Sequence, residues 1–117
     1  MGKIILEGMK FRANIGTTKE ERDLGNDLTI SLSFKCDTLT SGISDDLKDA
    51  TDYSLVYQTV KKETLIPCNL IENLAYRIME SLKRDFPNIS GIDLKIYKHY
   101  PPIEGGNLEK SGIEIKS

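Results

Sequence analysis

No apolar run in this sequence is longer than three or four residues, far short of the roughly 18 that a membrane-spanning helix needs. The first residues also lack the apolar stretch of a secretory signal peptide. The expectation is a cytoplasmic protein with no membrane partner. Metal-binding residue types are scarce: there is one histidine, and the two cysteines, Cys36 and Cys68, lie far apart and outside any CxxC spacing. A zinc site or a thioredoxin-like redox pair has no ligand set here, so no metal is expected and both cysteines read as reduced thiols. Charge of one sign is not in surplus either. Sixteen Lys and Arg against 18 Asp and Glu leave a net charge of −2, with a pI near 5.4. That balance gives no electrostatic footprint for nucleic acid or an anionic membrane.

What is present is a globular composition, with 38% hydrophobic and 29% charged residues in 117. That length matches one domain, residues 1–117, and excludes a separate cofactor domain. A chain of this size buries about two thirds of its unfolded surface. Little room remains for a deep pocket private to one chain.

Four segments alternate with period 2. In the clearest, Leu28, Ile30, Leu32, Phe34 and Cys36 interleave with Thr29, Ser31, Ser33 and Lys35, the pattern of a half-buried strand. Before it, Ile4, Leu6, Met9 and Phe11 alternate with a change of phase at Glu7-Gly8, where glycine permits a bulge. The connection from 14 to 26 is long and polar, and loops of that length are commonly functional. It is a candidate ligand loop. Residues 53–63 carry Tyr53, Val56, Tyr57 and Val60 at helical spacing, after a polar stretch from 37 to 52. Ile71, Leu74, Ala75, Ile78, Leu82 and Phe86 then mark a longer amphipathic helix that ends at Pro87. Alternation returns at Ile92, Leu94 and Ile96, and again at Ile113 and Ile115.

The order ββααββ predicts an α+β fold, a four-stranded antiparallel sheet with two helices packed on one face. Such a sheet has two open edges, which natural proteins cover, charge or pair with another chain. Assembly by edge pairing is expected.

Lys98 continues the apolar register of Ile92, Leu94 and Ile96, so alternation turns it toward the buried side. Partial desolvation suits a lysine to proton transfer; the alternative is a stem lying over the core with its head in water. Glu72 follows Asn69 by three residues at a helix start, the spacing of a capping box in which the glutamate bonds back to the cap backbone. Alternatively, a carboxylate there can accept two parallel hydrogen bonds from an amidine-like edge. Glu20 and Glu21 precede Arg22-Asp23-Leu24-Gly25, a charge run that reads as a solvated turn. Tyr53 after Asp52 is either a staple against the core or a hydroxyl for a pocket. His99 falls on the face opposite Lys98 and reads as solvent-facing. Pro101-Pro102-Ile103 and Gly105-Gly106 make a stiff and then a flexible connection.

Together, Gly8-Met9-Lys10-Phe11, Glu21 with Gly25, Asp52-Tyr53, Asn69-Leu70-Ile71-Glu72, and Lys98 through Pro101-Pro102-Ile103 resemble the dihydroneopterin aldolase family of folate biosynthesis. The resemblance spans about Ile4 to Ile115, and its specificity lies in the order and spacing of stretches that are individually weak. It implies a tunnelling fold in which sheets join edge to edge into a barrel, commonly an octamer of two stacked tetrameric rings. It further implies a pterin site between adjacent subunits, with Tyr53 reaching in from the neighbour of the chain that supplies Glu72 and Lys98.

The implied reaction splits 7,8-dihydroneopterin into 6-hydroxymethyl-7,8-dihydropterin and glycolaldehyde, with some epimerisation at C2′. The substrate's ring C=N is the electron sink, so no cofactor is implied. Carried onto this chain, Lys98 is an acid/base or water-organising group, and Glu72 takes the donor edge of the pterin beside the backbone of Ile71. Glu21 binds hydroxyls, and Tyr53 orients the side chain and its proton transfers. One departure is Asn14-Ile15-Gly16, where many relatives carry Tyr-His-Gly. The resemblance leaves two alternatives: a dihydroneopterin triphosphate epimerase and a non-catalytic pterin-binding ring.

Overall fold

A computed structural model describes residues 1–117. Strand β1, Gly2–Ala13, leads through a short helix α1, Lys19–Leu24, into β2, Asn26–Cys36. A second short helix α2, Leu39–Ser44, and one 3-10 turn, Leu47–Asp49, precede α3, Tyr53–Thr64, and α4, Ile71–Asp85. Strands β3, Ser90–His99, and β4, Lys110–Lys116, complete an antiparallel sheet ordered β1-β2-β3-β4. The main elements keep the expected ββααββ order. No helix is long and apolar enough to cross a membrane.

Registry explains why one face of the sheet is apolar. Ile4 lies opposite Phe34, Leu6 opposite Leu32, Met9 opposite Ile30, and Phe11 opposite Leu28. On the other side of β2, Leu32 pairs with Leu94, Ile30 with Ile96, and Leu28 with Lys98. The phase change in β1 is a bulge between Leu6 and Met9, with Gly8 at φ 76°. Without that inserted residue, Met9 and Phe11 would turn away from the core.

Both long helices cover this face. Val56 and Val60 of α3 and Leu74, Ala75, Ile78, Met79 and Leu82 of α4 are buried with the strand residues in one cluster. Each fully buried aliphatic side chain contributes roughly 1.5–3 kcal/mol relative to exposure. The helices are also tied to each other. Arg77 of α4 donates to the Glu63 carboxylate at 3.0 Å and to the Glu63 carbonyl at 2.9 Å, while Ser81 donates to the other Glu63 oxygen at 2.8 Å. This network fixes α4, and with it the direction of its N-terminus.

Two connections differ from expectation. The 14–26 segment contains a helix because Thr18 caps α1, its hydroxyl accepting the Glu21 N–H at 3.1 Å, and Gly25 ends it at φ 82°. The 37–52 stretch likewise contains helical turns. The outer edges of β1 and β4 have no partner strand within the chain.

Candidate active site

The end of β3, the start of α4 and the loop after β1 meet around a cavity of about 260 Å³. Thr17, Asn69, Ile71, Glu72 and Lys98 are among its lining residues. A wider cleft of about 600 Å³ lies against the 100–109 connection. Of the candidate residues, Ile71, Glu72 and Lys98 line the smaller cavity, and Glu21 stands behind it through its bond to Lys98.

Lys98 occupies the last core-facing position of β3, opposite Leu28. Its Nζ donates to Glu21 Oε2 at 3.0 Å, with only 15% and 11% of the two side chains exposed. Lys98 therefore does not extend its head into bulk water, and Glu21 is no solvated turn residue. The Glu21 carboxylate is satisfied from three further directions. Thr17 N–H donates to Oε1 at 2.9 Å, the Asn26 amide donates to Oε2 at 3.1 Å, and the Thr17 hydroxyl lies 3.5 Å from Oε1. Burial alone would raise its pKa, but the bonds from Lys98, Thr17 and Asn26 outweigh burial and hold the carboxyl below its ordinary value. Glu21 is ionised at neutral pH.

Two residues that local sequence patterns miss hold this arrangement. Buried Asn26 bonds Glu21 and also the Ile15 carbonyl, at 2.6 Å. Gly16 leaves the space that Glu21 fills, since a Cβ there would lie 2.5 Å from Glu21 Cγ and 2.7 Å from Cδ. Gly16→Ala should therefore displace Glu21 from Lys98 and, if this pair serves a reaction, reduce turnover by roughly 100-fold, the scale of an ångström's misplacement at a reacting centre. Steady-state kinetics of the folded variant checks this, and unchanged kcat contradicts it.

The helix-start glutamate is free. The capping box expected at Asn69 and Glu72 does not form: α4 begins at Ile71, its cap residue is Leu70, and no side chain caps it. The Asn69 oxygen instead accepts from Arg22 at 2.9 Å. Glu72 is exposed in the first turn, where the positive end of the helix favours its charge.

Tyr53 is not brought to this cavity. It begins α3 and is 66% exposed, so the staple reading fails. Asp52 caps that helix by accepting from the Ser54 hydroxyl at 2.6 Å and the Ser54 N–H at 2.9 Å. These bonds lower the Asp52 pKa. His99 also departs from expectation: it is half-buried and hydrogen-bonds Thr29 on the polar face.

The site thus joins a largely buried glutamate–lysine pair to an unpaired carboxylate at a helix N-terminus. A family model for dihydroneopterin aldolase (FolB) matches residues 4–116. The chain belongs to the dihydroneopterin aldolase family. A dihydroneopterin aldolase of Streptococcus pyogenes serotype M1 is 38% identical, over 99% of this chain and 98% of its own length. Two solved structures share the fold. A putative dihydroneopterin aldolase from Vibrio cholerae superposes with a TM-score of 0.90 at 24% identity, covering 100% of this chain and 97% of that one. The dihydroneopterin aldolase of E. coli, in complex with neopterin, gives a TM-score of 0.84 at 22% identity, covering 98% and 99%.

Proposed function

We propose that this chain is a dihydroneopterin aldolase, acting as one domain over residues 1–117 to cleave 7,8-dihydroneopterin into 6-hydroxymethyl-7,8-dihydropterin and glycolaldehyde. The supporting observation is that Lys98, paired with Glu21, and the free Glu72 carboxylate line one cavity. In a family with this activity, that arrangement matches both halves of the substrate. Glu72 accepts the 2-amino group and the adjacent ring N–H as a parallel pair of bonds, with the Ile71 backbone beside it. Glu21 takes the side-chain hydroxyls.

The bond changes balance without an oxidant or reductant. A proton leaves the 2′ hydroxyl, that C–O becomes a carbonyl as C1′–C2′ breaks, and the bonding electrons move into the ring C=N. The ring nitrogen gains a proton to give an enol, and C1′ is then protonated as that nitrogen gives its proton back, which restores the ring C=N. The substrate's C=N serves as electron sink, so Lys98 acts as an acid/base or water-organising group and not as a nucleophile. Re-addition of glycolaldehyde to the opposite face gives the C2′ epimer.

In this reading Tyr53 works in a neighbouring subunit's site, orienting the substrate side chain and its proton transfers. Its exposure away from its own chain's cavity supports that role. The open edges of β1 and β4 support closure of the sheet by other copies, into a homo-octamer of two stacked tetrameric rings in the cytoplasm. Size-exclusion mass tests the assembly, and an active monomer would contradict it.

The activity is tested by offering 7,8-dihydroneopterin and its triphosphate in separate incubations and separating the pterins by chromatography. Hydroxymethyldihydropterin from the free compound is the expected product. Epimerisation of the triphosphate alone would make the protein an epimerase, and binding without any product would make it a non-catalytic ring.

A further inference from the structure

We propose that Arg22 is a positioning residue for the ring-binding half of the site, acting through the side-chain amide of Asn69. The inference rests on the aldolase reading of the cavity and adds a residue to it. Arg22 follows Glu21 on α1, and its guanidinium is directed at neutral oxygens: Nη1 donates to the Gly16 carbonyl at 3.1 Å and to Asn69 Oδ1 at 2.9 Å.

Two consequences follow from the hydrogen-bonding inventory. A guanidinium only donates, so Asn69 must turn its oxygen toward Arg22 and its NH₂ away. Asn69 lines the cavity, and its NH₂ is the end left for an acceptor on the bound ring, a carbonyl oxygen or an unprotonated ring nitrogen. Arg22 also occupies the oxygen that would otherwise cap the helix. An Asn69 cap would bring Glu72 into a reciprocal bond with the cap backbone; with Asn69 held, α4 starts one residue later and Glu72 remains free. Arg22 thus leaves the Asn69 NH₂ as a donor and the Glu72 carboxylate as an acceptor on one cavity.

The same contact spans the two halves of the site. Backbone bonds already join these loops, from Gly16 N–H to the Cys68 carbonyl at 3.2 Å and from Cys68 N–H to the Asn14 carbonyl at 3.3 Å. Arg22 extends that bridge to the residue that opens the Asn69–Glu72 segment. The spacing between the Glu21–Lys98 pair and Glu72 is set across it.

The test measures binding of 6-hydroxymethyl-7,8-dihydropterin and thermal stability for the wild type, Arg22→Met, Asn69→Ala and the double variant. Each single change should weaken binding by about tenfold, and the double variant by no more than about twofold beyond the weaker-binding single, because the two residues act as one unit. Arg22→Lys should recover part of the affinity, since an ammonium can still donate to the Asn69 oxygen. Asn69→Asp keeps an acceptor for Arg22 but loses the donor to the ring, so it should bind as poorly as Asn69→Ala even if Arg22→Met fails to fold. Native affinity in Asn69→Asp overturns the proposal. So do multiplicative losses in the double variant, or a lowered Tm in Arg22→Met with unchanged affinity. A wild type that does not bind this pterin overturns the aldolase reading itself, a result separable from the others.

Discussion

Lys98→Ala should lower the rate of glycolaldehyde release by roughly 100- to 10,000-fold, the range for loss of a positioned acid/base group, while the protein still binds pterin. The expectation follows from where the ammonium sits. Lys98 is carried to the cavity by the last apolar-facing position of β3, and its Nζ is 3.0 Å from a largely buried glutamate. Truncation removes both the proposed proton-transfer group and the partner that offsets the burial of Glu21. The Thr17 and Asn26 donors remain, so Glu21 keeps part of its support and the loop around it should stay folded. Circular dichroism and pterin titration separate loss of chemistry from loss of structure. A folded, pterin-binding Lys98→Ala protein with wild-type turnover would remove Lys98 from the mechanism.

Glu72→Gln should weaken pterin binding by about 100-fold, because two charge-assisted bonds are lost and an NH₂ group faces a donor edge. Its stability should change little. Glu72 is exposed and takes no part in a capping box, so the folded chain loses only a favourable charge at the helix N-terminus. The contrast is diagnostic. A glutamate that only served the helix would show the reverse, a lower Tm with unchanged affinity. Titration with 6-hydroxymethyl-7,8-dihydropterin and a thermal melt decide between them.

Local periodicity made most of this fold legible. The alternation in β2 and β3 sets which face is buried, and its next step places Lys98 on that face. The phase change at Glu7-Gly8 located the bulge, and the spacing from Ile71 to Phe86 located α4. Failures came where a distant residue decides the outcome. Asn69 and Glu72 have the spacing of a capping box, but Arg22, 47 residues earlier, holds the asparagine oxygen. Glu21 reads as solvated among charged neighbours, while its partner is 77 residues away. No short window contains either contact.

The missed helix α1 is a different case. Thr18 and Glu21 stand three apart, the spacing of a capping box, and Gly25 supplies the stop, so the signal was present in the sequence. Thr18 does accept the Glu21 N–H, but the Glu21 side chain bonds Thr17 and Lys98. A helix of six residues has too little apolar periodicity to announce itself. Gly16 carried no signal at all, because its importance comes from the side chain that occupies its missing Cβ.

The central claim is that a chain of 117 residues can cleave a carbon-carbon bond because its substrate supplies the electron sink. Its most direct test is the stoichiometry of products from 7,8-dihydroneopterin in the presence of a strong chelator, with a parallel reaction treated with borohydride and the protein weighed by mass spectrometry. The expected result is glycolaldehyde and 6-hydroxymethyl-7,8-dihydropterin in equal amounts, no loss of rate with chelator, and no adduct on Lys98. Loss of activity with the chelator, or a reduced adduct on that lysine, would contradict it.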